Sequence, residues 1–245
     1  MGRRGGFLLL FAPGQRPSTA AIAALCAPGA PGARAFQVSF MPAPGEGWVE
    51  LLANGLTFDL VGLAPGPGES AGPTVSAYGF SGPPPVPGEA IGLFAGAHLA
   101  GGENLLPVVR VMAGLAAALA KLPGIQAIVW TPAAAMMEIN YFERSFANWL
   151  NGGVVPVLGL ISLLRGNKGE IHSQGLNFFT GHEVEITPSR PENLSVAGKF
   201  AIRLIHALLE GAIGQLPEQM TGVQGEHWAL ERSGDRRLLR VWQKD

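Results

Sequence analysis

Short apolar runs closed by turn pairs fill the first third of the chain. Phe7–Ala12 is continuously apolar and stops at Pro13-Gly14, the pattern of a buried strand. Ser18 follows as the cap of a helix over Thr19–Cys26. Residues 26–33, CAPGAPGA, read as loop, and Phe36–Met41 as strand. Trp48–Leu52 and Leu56–Leu63 read as two strands joined at Asn54-Gly55, a common hairpin turn pair. Residues 64–88 hold seven prolines and six glycines, so the expectation there is a long loop with neither helix nor strand.

The remainder alternates longer elements. Ala90–His98 predicts a strand and Glu103–Leu122 a helix that stops at Pro123-Gly124. Gln126–Trp130 predicts another strand. Thr131-Pro132 then reads as N-cap and first turn of a helix running to Leu150, closed by Asn151-Gly152-Gly153. Val154–Leu164, Glu170–Phe179 and His182–Ile186 predict strands. Ser189 and Glu192 make a capping box for a helix from Arg190 to about Ile213. His227–Glu231 and Leu238–Trp242 finish as a hairpin.

Three short matches recur in the same order in both halves. Phe11-Ala12-Pro13 matches Trp130-Thr131-Pro132, Glu50–Phe58 matches Glu170–Phe178, and Glu103-Asn104-Leu105 matches Glu192-Asn193-Leu194. In the last helix Lys199, Arg203, His206 and Glu210 form one polar stripe at helical period, with Leu194, Ala201, Leu204 and Leu208 facing the core. The same offset puts Arg110, Gly114, Ala117 and Lys121 on the equivalent face of the earlier helix. The expected fold is therefore α+β: two diverged β-α-β-β-β-α units packed as a pseudo-two-fold duplicate, mainly antiparallel sheet with helices on one face. The first unit covers residues 1–124 with 64–88 as an insertion, the second covers 125–245, and the two are expected to form one compact globule.

Composition narrows the function classes. With 245 residues, 47% hydrophobic, the chain can bury a full core, and only 14% of residues are charged. So little charge fits a protein with partners, and a homodimer is compatible with it. The net charge of -1 offers no basic field for nucleic acid. The one basic cluster, Arg232, Arg236, Arg237 and Arg240, falls on the last hairpin and reads as a solvated sheet face. The apolar run after Arg3-Arg4 is too short for a secretion signal, and Leu105–Leu122 is interrupted by Pro107, Arg110 and Lys121, so no membrane segment is expected and the location reads as cytoplasmic. The single cysteine, Cys26, reads as a small buried hydrophobe.

Few residues invite chemistry. Gly68-Glu69-Ser70-Ala71-Gly72 satisfies G-x-S-x-G, but a nucleophile elbow needs a strand on one side and a helix on the other, and this stretch sits in the Pro/Gly loop. Histidines 98, 172, 182, 206 and 227 show no zinc spacing, so no metal is expected. His182 and Glu183 flank a tight turn and read as surface. His172 stands where the first copy has Leu52, and is the histidine singled out. Glu138, Tyr141 and Arg144 cluster in the helix after Trp130, where a ligand crevice often lies. No nucleotide fingerprint or cofactor motif occurs.

Residues 150–231 resemble the domain-of-unknown-function family DUF4261. The likeness rests on Gly175-Leu176-Asn177-Phe178-Phe179, on His182-Glu183-Val184-Glu185-Ile186, on the long helix that follows, and on Gln219-Met220-Thr221-Gly222. Where family members carry Phe-Gly, this chain has Phe179-Thr180-Gly181. The resemblance implies a fold and brings no catalytic residues.

Two readings follow. The leading one is a non-catalytic binding or interaction module, for a protein or small-molecule ligand, with Tyr78 and Phe80 of the Pro/Gly loop as contact residues; removing residues 66–86 should leave folding intact. The other is a small-molecule hydrolase in a cleft, with His172 and a carboxylate, Glu138 or Glu170, as acid and base.

Overall fold

The computed structural model describes residues 4–27, 36–211 and 217–244. The chain divides into two compact units, Met1–Pro156 and Val157–Asp245. Both carry mainly antiparallel sheet with helices, so the α+β class holds. Among the described residues no helix is long and apolar enough to cross a membrane.

The first unit runs β1 (Gly6–Phe11), α1 (Thr19–Leu25), β2 (Gln37–Phe40), β3 (Trp48–Ala53), β4 (Leu56–Val61), β5 (Glu69–Ser70), β6 (Ser76–Tyr78), β7 (Glu89–Ala95), α2 (Leu106–Leu119), β8 (Ile125–Trp130), β9 (Ala135–Met137) and α3 (Ile139–Leu150). Its sheet has the order β2-β3-β4-β7-β1-β8-β9-β6, with β5 also on β7. The apolar run Phe7–Phe11 is the centre strand because both of its faces are covered. Phe7 meets Trp130 at 4.6 Å and Phe142 at 5.8 Å between ring centroids. On that side α2 and α3 supply Val109, Met112, Phe142 and Phe146, all buried. On the other side Leu8 and Leu10 join Ala90, Phe94, Val129 and Met136.

The boundary expected at residue 124 therefore falls inside this unit. Ile125–Trp130 pairs antiparallel with Gly6–Phe11 itself, so β8 completes the first sheet. The Pro/Gly segment 64–88 is also more structured than expected. Glu69–Ser70 pairs with β7, and Ser76–Tyr78 pairs parallel with β9. Ala71 and Phe80 lie against the second face of the sheet. Arg16 holds the start of the segment: its guanidinium donates to the carbonyls of Gly62 and Gly66 and meets Glu89 at 3.2 Å. Prolines stop a long ladder, but they do not stop two-residue and three-residue pairings between them.

Thr131 does not cap a helix. Its hydroxyl bonds the carbonyls of Arg4 and Gly6 and accepts from the Gly6 N–H, fixing the start of β1. The chain forms β9 first, and α3 begins seven residues after Pro132 with Glu138 as its cap. The helix expected over Glu103–Leu122 is shorter, Leu106–Leu119, with Pro107 in its first turn.

The second unit runs α4 (Val157–Leu160), β10 (Ser162–Arg165), β11 (Ile171–Gln174), α5 (Leu176–Thr180), β12 (Glu183–Thr187), α6 (Leu194–Leu209), β13 (Gln219–Thr221), β14 (His227–Arg232) and β15 (Leu238–Gln243). Its sheet has the order β10-β11-β12-β15-β14-β13, with β12 and β15 parallel. α6 covers one face. Phe200 stacks on Trp228 at 4.5 Å, above Val184, Ile186, Leu239 and Val241.

Three expectations change here. The strand expected over Val154–Leu164 is a single turn broken at Leu158 and Gly159, then β10; Gly159 has a φ of 108°, which no strand adopts. The strand expected over Glu170–Phe179 ends at Gln174, because Gly175 has a φ of 99° and the next five residues are helical. The capping box is absent: Ser189 accepts from the Asn193 amide, and a tight turn over Pro191–Asn193 precedes α6. α6 ends at Leu209 with Glu210 as its cap, short of the expected Ile213. Residues 28–33 of the expected loop lie outside the described residues.

These shapes bear on the matched segments. Glu50–Phe58 is a hairpin, whereas Glu170–Phe178 is a strand followed by a helix. The four identical residues, Glu50/Glu170, Gly55/Gly175, Leu56/Leu176 and Phe58/Phe178, serve different backbones in the two halves.

Candidate functional site

In the first unit a groove of about 590 Å³ lies between α2, the end of α3 and the β3–β4 turn. Leu106, Val111 and Leu115 line it from α2, and Trp149 and Leu150 from α3. It exists because apolar residues of α2 at i, i+5 and i+9 flank the helix face that carries Arg110 and Gly114, which has no side chain. A Cβ built at Gly114 would meet only Leu150 Cδ2, at 3.7 Å.

Among the described residues Arg110 is the one charged residue of the lining. Its Nη2 donates to the Leu150 carbonyl at 2.9 Å, in the last turn of α3. A cation suits that position, since a helix C-terminus carries about half a negative charge. The tip residue Asn54, held at a φ of 50° by the hairpin turn, is the other polar group of the wall. Among the described residues no Ser, Thr, Cys, His, Asp or Glu lines this groove.

The residues singled out from sequence fall into four places. Tyr78, Glu138 and Tyr141 come together in the first unit. The Tyr78 and Tyr141 rings stack at 5.6 Å with planes 14° apart. The Glu138 N–H donates to the Tyr78 carbonyl at 2.9 Å, and the Glu138 carboxylate accepts from Tyr141 N–H at 2.9 Å and from the Asn140 amide at 2.9 Å. Gly79 lies flat against Tyr141; a Cβ there would sit 2.3 Å from Tyr141 Cβ. Burial pushes the Tyr141 phenol above its ordinary pKa, an effect offset in part by a hydrogen bond with Ser145. This is a clamp that fastens the Pro/Gly segment to the start of α3. Phe80 is half-buried against the sheet. Tyr78 and Phe80 therefore serve internal packing, and Glu138 is engaged as a helix cap. Arg144 is exposed on α3.

His172 lies in the second unit, on β11. Ile171 and Ser173 point to the buried side, so His172 occupies the sheet face opposite α6. It stands in a row of directly paired residues: Leu164, His172, Glu185, Arg240 and Glu231. The carboxylates beside it are Glu170, at 3.4 Å from Nε2, and Glu185, at 3.6 Å from Nδ1. The Glu170 carboxyl is held below its ordinary pKa, first by its own backbone N–H, and also by His172 and the Lys168 N–H. A cross-strand row of alternating charge accounts for these contacts as surface pairing.

His182 departs most from expectation. It is 4% exposed, and its Nε2 is buried with no hydrogen-bond partner. Its Nδ1 lies 3.2 Å from the Thr180 carbonyl, which accepts only, so Nδ1 carries the proton. Burial pulls its pKa down, assisted by Arg232. The polar turn suggests a surface position, but the imidazole is buried, with Nδ1 held at the Thr180 carbonyl.

The Ser70 pattern stands on a two-residue strand with no helix after it, so it is no nucleophile elbow. Among the described residues no group of three His, Cys, Asp or Glu could hold a metal ion. Sequence reasoning missed Trp149 and Leu150 as groove walls. The signal for Arg110 and Gly114 was present, since both lie on one helix face four residues apart. Comparison with family models, with curated proteins and with solved structures finds no match.

Proposed function

We propose that this protein is a non-catalytic binding module whose receptor site is the α2–α3 groove of the first unit. The observation that carries this reading is the groove's wall: among the described residues it offers apolar side chains, one guanidinium and one amide, and no nucleophile, acid or base. Its volume lies in the range of small-molecule sites, roughly 300–1,000 Å³. A wall of this kind holds a ligand and orients it without reacting with it.

Gly114 gives the test. Titration with a neutral environment-sensitive dye such as Nile red should report one site in the unaltered protein. Gly114→Leu should abolish it by filling the groove, while Gly114→Ala should retain it. Neither change threatens α2, because Ala and Leu are better helix formers than Gly. Dye binding that survives Gly114→Leu removes the groove from this role.

The proposal includes kinship of the second unit with DUF4261. It is supported by the way the resembling segments work together: the Glu183 carboxylate accepts from the N–H groups of Gly175, Leu176 and Asn177. It also includes descent of the chain by duplication. In support, a strand, a helix, a run of further strands and a second helix recur as β1, α1, β2–β7, α2 and as β8, α3, β10–β12, α6, with β9, α4 and α5 as short additions in the second run.

A further inference from the structure

The geometry points to an apolar monocarboxylate as the ligand class of the α2–α3 groove. This inference rests on the groove being the receptor site and adds the chemistry of what it receives.

The charge balance of the wall supports it. Arg110 is a full positive charge, and among the described residues the wall holds no carboxylate. The Leu150 carbonyl at the end of α3 accepts one guanidinium N–H but is a neutral dipole, so a unit charge stands at a half-buried position with no counter-ion on the wall, where an unmatched charge is costly. One monoanion matches it. A dianion such as a phosphate monoester would leave a charge in excess against an apolar wall.

Directionality argues the same way. A guanidinium carries five N–H donors in a rigid fork. The contact of Nη2 with Leu150 tethers the group and does not exhaust them. A planar fork suits a carboxylate, which accepts two parallel N–H bonds. Asn54 supplies an amide from the hairpin tip on the same wall. Away from these two polar groups the groove is lined by Leu106, Val111, Leu115 and Trp149, which match an aliphatic or aromatic body. A neutral ligand of the same shape would bury the apolar body equally well, but would leave Arg110 without its counter-charge.

The test is isothermal titration of the whole chain with octanoate, octanamide and octyl phosphate. The expected result is one site for octanoate, at least tenfold tighter than octanamide and tighter than octyl phosphate. Gly114→Leu should abolish binding of all three. Arg110→Gln should bring octanoate down to the level of octanamide and leave octanamide unchanged. Because Arg110 also caps α3, Arg110→Lys is the companion variant: it keeps the charge and loses the fork. Octanoate weakened several-fold by Arg110→Lys, with octanamide unaffected, supports the inference.

Equal affinity for octanoate and octanamide overturns the carboxylate class and leaves the groove standing. Tighter binding of octyl phosphate likewise overturns the monoanion argument alone. Octanoate binding that persists in Gly114→Leu places the ligand elsewhere and overturns it. Absence of binding by all three, together with no Nile red site, overturns the groove and this inference with it.

Discussion

The hydroxyl of Ser173 donates to the carboxylate of Glu183 at 2.5 Å, and the same hydroxyl accepts from the Val184 N–H at 2.7 Å. Ser173 is 6% exposed and lies on β11; Glu183 opens β12. The carboxylate also accepts from the N–H groups of Gly175, Leu176 and Asn177, at 2.9, 3.3 and 3.1 Å. One side chain thus ends a strand, starts a helix and ties both to the neighbouring strand. Glu183→Ala should destabilise the second unit by about 1–3 kcal/mol, because it leaves backbone donors without an acceptor. Glu183→Gln, which keeps one acceptor oxygen, should lose less. Urea unfolding monitored by far-UV circular dichroism measures both; equal stability of Glu183→Ala and the unaltered chain refutes the role.

The Pro/Gly segment should be needed for folding, contrary to the expectation from sequence. Ala71 and Phe80 cover the sheet face that carries Leu8, Leu10 and Met136. Removing residues 66–86 should expose that face and cause aggregation or a lowered Tm. Phe80→Ala should cost about 1–2 kcal/mol, less than a fully buried phenylalanine because Phe80 is only partly covered. Thermal unfolding of the two variants checks this, and a deletion variant as stable as the full chain would show the segment to be dispensable.

Phe94 lies across two glycines of the neighbouring strand and its own. A Cβ at Gly6 would fall 2.4 Å from Phe94 Cδ1, and one at Gly92 would fall 2.4 Å from Phe94 Cε2. Gly92→Ala should therefore lose about 1–3 kcal/mol through overpacking. In a chain that already carries Phe94→Ala, the further change Gly92→Ala should cost far less. The double-mutant cycle reads this coupling directly, and additive losses would mean that the ring yields freely.

His182 should make the second unit sensitive to acid. Burial is the main cause of its lowered pKa in the folded chain. The unfolded chain then takes up the proton first, at about 6.5. Stability is whole above that value and is lost as pH falls through the depressed folded value. His182→Gln should flatten the pH dependence of denaturant midpoints between pH 7 and 5. A profile that is unchanged by His182→Gln assigns the acid sensitivity to other groups.

Much of the first unit was readable from local pattern. Phe7–Phe11 is apolar at every position, and a strand with no polar face must be central. Asn54-Gly55 allowed a hairpin, and the hairpin formed between Trp48–Ala53 and Leu56–Val61. Elements failed where a local signal had a competitor at a distance. Thr131-Pro132 is a sound helix start by itself, but its hydroxyl is taken by Arg4 and Gly6, more than 120 residues earlier in the chain. Gly175-Leu176-Asn177-Phe178 reads as a strand continuation by its apolar spacing, yet the Glu183 carboxylate supplies the helix-start acceptor that the segment lacks. Of the candidate site, Glu138 and Tyr141 stand out on the helix and Tyr78 separately on the Pro/Gly segment, and only the fold brings the three into contact with one another. The groove was invisible because its walls, Leu106 and Trp149, are ordinary apolar residues until two helices and a turn are set side by side.

The order of apolar runs and turn pairs decided by itself that this chain forms antiparallel sheet with covering helices, since periodicity and turn chemistry act over a few residues. Tertiary structure alone decided which strands share a sheet, that β8 belongs with β1, that His182 is buried, and that Arg110 stands in an apolar groove. Burial and charge pairing depend on neighbours distant in sequence, and no local pattern encodes a distance between them.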